Sequence, residues 1–360
     1  MARILILANN DIGLYKFRKE LIEVLVKSNE VYVSLPNGNF ISKLTELGCK
    51  FIETPISRRG TNPVADLKLL LKYNTIIKKI KPDVVLTFTI KPNVFGGMAC
   101  SINNIPYISN ITGLGTAVEN GGILQRITLF LYKISLKKAK CIFFQNIENQ
   151  DFFKERNIIR GKYRLIPGSG VNLDYFSLLE YPPDNKIQFL FVSRVMKEKG
   201  IDQYLKAAEY IKNKYAYTVF HILGYCEQNY ENKLKEAQDK KIIEYHGMQN
   251  DVIKFYRNSH CTIHPTYYPE GMSNVLLESA SCGRPIITTN RSGCREIIDD
   301  GVNGYIVEQQ NSEDLINKIE KFIELDYLEK KQMGLEGRKK VEKEFDRKLV
   351  ITAYLDEIMR

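Results

Sequence analysis

Residues 261–285 read Cys-Thr-Ile-His-Pro-Thr-Tyr-Tyr-Pro-Glu-Gly-Met-Ser-Asn-Val-Leu-Leu-Glu-Ser-Ala-Ser-Cys-Gly-Arg-Pro. Cys261 to Pro265 is an apolar run of strand length, and Tyr267-Tyr268-Pro269 breaks it with a turn. A helical pattern then starts near Met272 and stops at Gly283-Arg284-Pro285. Glu270 falls in the loop and Glu278 inside the helix. The first-turn amides of Met272, Ser273 and Asn274, following Gly271, have no partner within a helix, and the macrodipole adds partial positive charge, so a diphosphate can dock there. Glu270 would lie beside whatever hangs from the phosphate, while Glu278, about two turns on, suits a ribose diol. An isolated pair of this kind reads as two solvated carboxylates, so the neighbouring stretches decide the matter.

Working outward, the apolar run Ile187 to Val192 is a strand, followed by Ser193-Arg194-Val195-Met196-Lys197-Glu198-Lys199-Gly200 and a helix beginning around Ile201. Arg194 and Lys199 would project from the carboxyl end of a parallel strand, where open α/β sheets bind ligands. Arg offers a planar fork and Lys a mobile point charge, a pair suited to neutralising a departing diphosphate. Taken singly, Lys197 and Lys199 read as surface charges, whereas Arg194 follows an apolar strand directly.

Together these stretches resemble the carboxyl-terminal half of retaining family-four glycosyltransferases of the GT-B fold. The likeness rests on Ser-Arg-x-x-x-x-Lys-Gly at 193–200, His246-Gly247 with Asp251-Val252, Pro265 through Glu270-Gly271, and the glutamate pair. It continues through Gly283-Arg284-Pro285-Ile286-Ile287, Gly293-Cys294-x-Glu296 and Asp300-Gly301-x-Asn303-Gly304. It implies an α/β architecture of two Rossmann-like doubly wound domains facing a cleft. It implies that Arg194 and Lys199 hold the donor diphosphate, that Glu270 faces the donor sugar, that Glu278 faces the ribose, and that Met248 and Asn250 line the base pocket.

Length and composition agree with two domains. At 360 residues, 44% apolar and 26% charged, the chain is long enough for two cores and has an ordinary globular composition. Seven scattered cysteines without Cys-x-x-Cys spacing, and no leader before the first core strand, point to a reducing cytosol. All four histidines lie in the second half; only His260 and His264 have helix-like spacing, and they flank a strand and a proline, so no metal site is expected.

Charge is uneven. Residues 1–172 carry 25 Lys and Arg against 12 Asp and Glu, whereas the remainder carries 27 against 30. No nucleic-acid motif accompanies the basic half, and no run approaches the ~20 apolar residues that span a bilayer. Ile123 to Leu136, followed by Lys137, Lys138 and Lys140, reads either as an amphipathic helix on an anionic membrane surface or as a core-packed helix with a basic end.

The first half alternates strand and helix. Strands are expected at Arg3 to Ala8, Val31 to Leu35, Asp83 to Thr89, Tyr107 to Ile111 and Cys141 to Gln145. Asn9 to Gly13 is expected as a loop before a helix from Leu14 to Val26. Gly13 marks the first strand-to-helix turn, where a small residue lets amides approach a phosphate or sugar. Two further stretches, 87–93 and 110–116, resemble the branch of the family that builds bacterial capsule, O-antigen and lipid-linked glycans. They make Lys91 and Thr112 acceptor-side candidates. Many members carry a histidine near position 90 that touches the donor sugar; here Ile90 stands there. The domain boundary is expected at Ile166 to Asn172, giving domains 1–170 and 171–346, and the resemblance implies a final helix of about 347–360 crossing back to the first.

The reading is therefore transfer of a sugar from a nucleotide-diphosphate donor, with a uracil base by family association, to a sugar or polyprenyl-diphosphate-linked sugar acceptor. It would proceed with retention, without cofactor or metal, in the cytoplasm or peripherally on the inner face of the plasma membrane. No Asp-x-Asp triplet occurs. A nucleotide-sugar epimerase or hydrolase of the same fold is the alternative, although an epimerase should carry a first-half histidine. A two-lobed exported sugar-binding protein would need a signal segment.

Overall fold

The computed structural model describes residues 1–57, 60, 62–119 and 121–359, so Arg360 of the expected final segment lies outside the described residues. The chain divides into one unit of Met1–Ser169 with Lys348–Arg360 and a second of Gly170–Arg347.

The first unit is built on seven parallel strands: β1 (Arg3–Leu7), β2 (Glu30–Leu35), β3 (Lys50–Glu53), β4 (Val84–Phe88), β5 (Tyr107–Ile111), β6 (Cys141–Phe144) and β7 (Tyr163–Leu165). Their order is β3-β2-β1-β4-β5-β6-β7, with Ile6 in register with both Val33 and Leu86. β4, β5 and β6 are buried along their whole length, as expected of a sheet covered on both faces. Alternation sorts β1 between two cores. Leu5 and Leu7 pack with Tyr73 and Ile77 of the helix Pro63–Ile80, while Ile4 and Ile6 pack with Leu14, Leu21 and Ile22 of the helix Asp11–Val26.

That second core also takes the last helix, Arg347–Met359, through Val350, Ala353 and Tyr354. Tyr354 is fully buried, lies edge-on to Phe143 at 4.7 Å and accepts a hydrogen bond from Asn110 Nδ2. Glu357, also buried, meets Lys162 at 2.7 Å and Arg164 at 3.0 Å. Burial opposes its charge, yet the hydrogen bonds from Lys162 and Arg164 hold its carboxyl below the usual range.

The second unit has six parallel strands: β8 (Ile187–Val192), β9 (Thr218–Leu223), β10 (Glu244–Tyr245), β11 (Cys261–His264), β12 (Ile286–Thr289) and β13 (Gly304–Val307), ordered β10-β9-β8-β11-β12-β13. Phe189 and Phe191 enter one core with Phe220, Tyr204 and Phe322; Leu190 enters the other with Leu276, Leu277 and Tyr256. In both sheets consecutive strands run outward one way and then the other. The direction reverses between β1 and β4 in the first and between β8 and β11 in the second, the doubly wound pattern that leaves a crevice at the carboxyl edge.

Arg284, from the motif Gly283-Arg284-Pro285, is fully buried and serves the fold. Its guanidinium donates to the Tyr256 carbonyl at 2.7 Å and the Glu180 carbonyl at 2.6 Å, pinning the segment that leads into β8. Burial lowers its pKa to about 10, so it stays charged at neutral pH.

Candidate active site

Three loops meet at the carboxyl edge of the second sheet. The loop after β8 passes through a short 3-10 turn, Lys197–Lys199, into the helix Ile201–Lys214. Gly200 makes that passage with φ of +78°, and a Cβ there would lie 2.1 Å from the Pro265 carbonyl oxygen, so only glycine lets the loops after β8 and β11 touch. The contact is laced by Tyr267 N–H to the Glu198 carbonyl at 2.9 Å. The loop after β9 joins through Glu227 N–H to the Val195 carbonyl at 3.1 Å and Lys197 N–H to Gln228 Oε1 at 2.9 Å.

This lacing brings Lys199 and Glu270 into an ion pair across the reversal between β8 and β11, with side chains only 8% and 19% exposed. Arg194 pairs with Glu227 from the loop after β9. The Tyr268 ring lies under both cations, with the Arg194 guanidinium 5.2 Å and the Lys199 ammonium 4.9 Å from its centroid. Each of the two expected phosphate-binding cations is thus matched by a carboxylate. Glu227 carries no signal in the sequence, because its partner lies 33 positions away.

Glu270 is backed by the turn at Gly293. Glu296 fixes that turn by accepting from Gly293 N–H at 2.7 Å and Ser292 Oγ at 3.0 Å. A Cβ on Gly293 would come within 2.7 Å of the Gly271 carbonyl and 3.0 Å of Glu270 Cβ, which accounts for the Gly293-Cys294-x-Glu296 pattern. The same turn corrects an expectation. The helix begins at Asn274, not Met272, and the Ser273 amide donates to the Gly293 carbonyl at 2.7 Å. Met272 is buried among Leu276, Leu277 and Cys294, so residues 271–273 form a packed approach to the helix. Of the three amides expected to await a phosphate, the Ser273 amide is already engaged. Glu278, half-buried, accepts from Tyr256 Oη at 3.4 Å.

Beyond β10, the Gly247 carbonyl accepts from Gly224 N–H at 2.8 Å, tying the loops after β9 and β10 together. Met248 and Asn250 lie exposed in that loop. His264, at the end of β11, is fully buried, and neither ring nitrogen has a hydrogen-bond partner among the described residues. Burial, with the Lys199 charge adding to it, keeps the imidazole neutral. His260 is engaged separately: its Nδ1 accepts from Gln188 N–H at 3.1 Å. His221 and His246, not weighed as a pair in the sequence, come together with Glu244.

At the corresponding edge of the first sheet the buried hydrogen-bond network is neutral. Thr87 Oγ1 donates to Asn93 Oδ1 at 2.7 Å, Asn93 Nδ2 to the Asn110 carbonyl at 2.8 Å, and Gln145 Nε2 to Asn110 Oδ1 at 3.3 Å. Gly13 is not in a loop. The helix begins at Asp11 because the Asn10 carboxamide caps it, accepting from the Gly13 amide at 2.6 Å, so that amide is engaged within its own helix. Thr89 adopts φ of +73°, uncommon for a β-branched residue, and its buried hydroxyl has no hydrogen-bond partner among the described residues. Lys91, two residues on, is paired with Asp66 at 2.6 Å. Thr112 is half-buried just past β5.

The helix Gly122–Ser135 packs on the core through Tyr132, with Leu136 just after it, and also carries an exposed apolar stripe. Ile123, Ile127, Phe130 and Ile134 are 77%, 51%, 62% and 45% exposed, while Thr128, Tyr132 and Ser135 face inward. Among the described residues, no helix is long and apolar enough to cross a membrane.

A doubly wound pair of sheets with this edge defines a class, and comparison with known proteins names it. Residues 180–340 match the model for glycosyl transferases group 1, and residues 3–146 the model for glycosyl transferase 4-like proteins, so the two span most of the chain. A glycosyltransferase from Rickettsia africae superposes with a TM-score of 0.82 over 100% of this chain and 99% of its own, at 22% identity, which speaks for the fold. The N,N'-diacetylbacillosaminyl-diphospho-undecaprenol alpha-1,3-N-acetylgalactosaminyltransferase of Campylobacter jejuni is 27% identical over 340 residues, 89% of each protein. The UDP-Gal:alpha-D-GlcNAc-diphosphoundecaprenol alpha-1,3-galactosyltransferase of Escherichia coli is 26% identical over 285 residues, 74% of this chain and 72% of its own. The chain belongs to the family-four glycosyltransferases of the GT-B fold and is a glycosyltransferase enzyme. The epimerase or hydrolase alternative finds no support among these relatives.

Proposed function

We propose that this enzyme moves a hexosyl group from a UDP-sugar to a sugar carried on a polyprenyl diphosphate, with retained configuration and without a metal ion in the reaction, during assembly of a bacterial surface glycan. The observation that carries this reading is the Lys199–Glu270 ion pair spanning the reversal between β8 and β11, with Arg194 over the same tyrosine ring. The relatives supply the substrate class: both names above specify a sugar on diphospho-undecaprenol as acceptor, and one specifies UDP-galactose as donor.

Three N–H donors let the Lys199 ammonium bridge Glu270 and a phosphate oxygen at once, and the Arg194 fork has donors beyond those Glu227 takes. The cations therefore meet the charge that develops on the diphosphate as the bond to the anomeric carbon breaks. In that step the acceptor hydroxyl oxygen bonds to the anomeric carbon on the face the leaving group vacates. The diphosphate departs with the electron pair and accepts the hydroxyl proton. Glu270 positions the sugar and stabilises positive charge at the anomeric centre. Glu278 takes the ribose diol, and Gly271, Met272, Ser273 and Asn274 shape the approach to the phosphate. Gly13, as the small first-turn residue of its helix, is the donor-side candidate in the first unit, and Met248 and Asn250 border the base. Lys91 and Thr112 are the acceptor-side candidates; Lys91 would have to share its ammonium between Asp66 and an acceptor oxygen.

The acceptor's lipid anchor gives the exposed stripe Ile123, Ile127, Phe130 and Ile134 a role. With Lys133, Lys137, Lys138 and Lys140 close in sequence and the first half strongly basic, this helix lies on an anionic bilayer as a peripheral contact at its cytoplasmic face. Incubation with a panel of UDP-, GDP- and ADP-sugars, with and without a short polyprenyl-diphosphate sugar and in the presence of EDTA, tests the reading. Acceptor-dependent release of UDP is expected. Release only from GDP- or ADP-sugars, or only after divalent metal is restored, contradicts it.

A further inference from the structure

Three adjacent strands of the second sheet place four side chains on one face. In the parallel registers, Leu190 of β8 pairs with His221 of β9, and His221 with Glu244 of β10. Gln188 is two residues before Leu190 and His246 two residues after Glu244, so Gln188, His221, Glu244 and His246 share a face by the period of two. The side chains converge: His221 Nδ1 lies 3.0 Å from His246 Nε2 and 3.3 Å from Glu244 Oε2, and His246 Nε2 lies 3.8 Å from Glu244 Oε2.

With the Gln188 amide oxygen turned toward His221, the protons in this cluster do not balance. His221 Nε2 is 2.9 Å from Gln188 Oε1. An amide oxygen only accepts, so Nε2 carries the proton and Nδ1 turns its lone pair toward the cluster. His246 Nε2–H can donate to that lone pair, but then Glu244 Oε2 faces His221 Nδ1 at 3.3 Å with two acceptors opposed and no proton between them. A cation satisfies all three lone pairs at once. Ligands bound tetrahedrally at about 2.0–2.1 Å lie about 3.3 Å apart, inside the range of the three separations here. The Gln188 carbonyl behind His221 is the outer partner that fixes tautomer and ring orientation in imidazole metal sites.

We propose that His221, Glu244 and His246 bind one divalent cation of the zinc type, leaving a fourth position open to water. The side chains of His221, His246 and Glu244 are 12%, 27% and 56% exposed, so the ion enters from solvent. It fastens the two-residue edge strand β10 to β9 and fixes His246, the residue that opens the loop leading to Met248. The cluster sits on the β9–β10 edge of the sheet, whereas Lys199 and Glu270 follow β8 and β11.

The test uses the full chain stripped of metal by chelation, titrated with Zn²⁺ against a chromophoric chelator and, separately, with Co²⁺. One equivalent of Zn²⁺ should bind and raise the melting temperature. The Co²⁺ form should show intense visible bands of four-coordination without a thiolate charge-transfer band. Glu244→Gln, conservative and at an exposed position, and His246→Ala should each weaken binding by about tenfold or more. Absence of stoichiometric binding overturns the proposal and leaves a hydrogen-bonded histidine pair. Binding unchanged in both variants, or a thiolate band that puts the ion on a cysteine, overturns it equally.

Discussion

The two sheets have the same winding and opposite chemistry at their carboxyl edges. The second sheet sets charges there: Lys199 with Glu270, Arg194 with Glu227, and a tyrosine ring beneath both cations. The first sheet sets neutral amides and hydroxyls there, Thr87, Asn93, Asn110 and Gln145, each hydrogen-bonded and buried, with Tyr354 of the last helix completing the network. A shared topology supplies the crevice, and the residue types at its lip decide what the crevice can hold. Matched charges can be redistributed when a diphosphate arrives. The buried amides and hydroxyls there are bonded to one another, so their main work is to hold the fold.

The largest effect that would break this contrast lies at Glu270. Glu270→Gln should lower turnover by about 10³-fold while UDP affinity does not weaken, because the change leaves Lys199 with one competitor fewer. Near-normal transfer by the variant, measured as acceptor-dependent UDP release, would remove Glu270 from the mechanism.

Next comes acid stability, to which the buried histidines of the second unit contribute. Burial pushes His260 down to about 4, whereas the unfolded chain titrates near 6.5. Below 6.5 the unfolded state binds the extra proton, so the contribution of His260 to stability should be constant above pH 6.5 and fall between 6.5 and 4 by at most about 1.4 kcal/mol per pH unit. Buried His264 acts in the same direction. Urea unfolding of wild type and His260→Asn across this range should show a shallower slope in the variant; identical slopes would put the dependence elsewhere.

A smaller loss is expected at the neutral edge. Asn110→Leu removes partners of Asn93, Gln145 and Tyr354 only where the side chain is involved, leaving Gln145 and the Tyr354 hydroxyl without it, and should cost about 2 kcal/mol of stability. UDP affinity should be unchanged; a variant that keeps its stability but loses UDP would erase the contrast between the edges. Smallest in its effect on the fold is Phe130→Ser on the exposed stripe. It should change stability by less than about 0.5 kcal/mol yet reduce co-sedimentation with anionic vesicles. Equal sedimentation of wild type with neutral and anionic vesicles would count against the bilayer contact.

Elements set by local pattern were legible in the sequence. β5 at Tyr107–Ile111 and β8 at Ile187–Val192 fall where apolar periodicity sets them, and the final helix, Arg347–Met359, falls where the family resemblance put it. The doubly wound class followed from the same alternation. What escaped reading depends on partners far along the chain or on a cap. The helix at Asp11 starts three residues early because a carboxamide supplies the missing acceptor, which a glycine nearby disguised as loop. The helix at Asn274 starts two residues late because the Gly293 carbonyl, 20 positions on, takes the Ser273 amide. Arg194 could be singled out by following an apolar strand, and Lys199 and Glu270 by their motifs, but neither ion pair could be read, since only the strand order brings residues 227 and 270 to the cations. His221 and His246 were hidden for the same reason: their meeting depends on β9 lying beside β10.

The central claim is that Arg194 and Lys199 grip the donor through its diphosphate. Calorimetric titration of UDP and of uridine into wild type, Arg194→Gln and Lys199→Gln tests it most directly. The account requires that UDP bind wild type far more tightly than uridine does, and that each substitution weaken UDP by about tenfold or more while leaving uridine as it was. Equal affinities for UDP and uridine in wild type, or variants that bind UDP as wild type does, would contradict it.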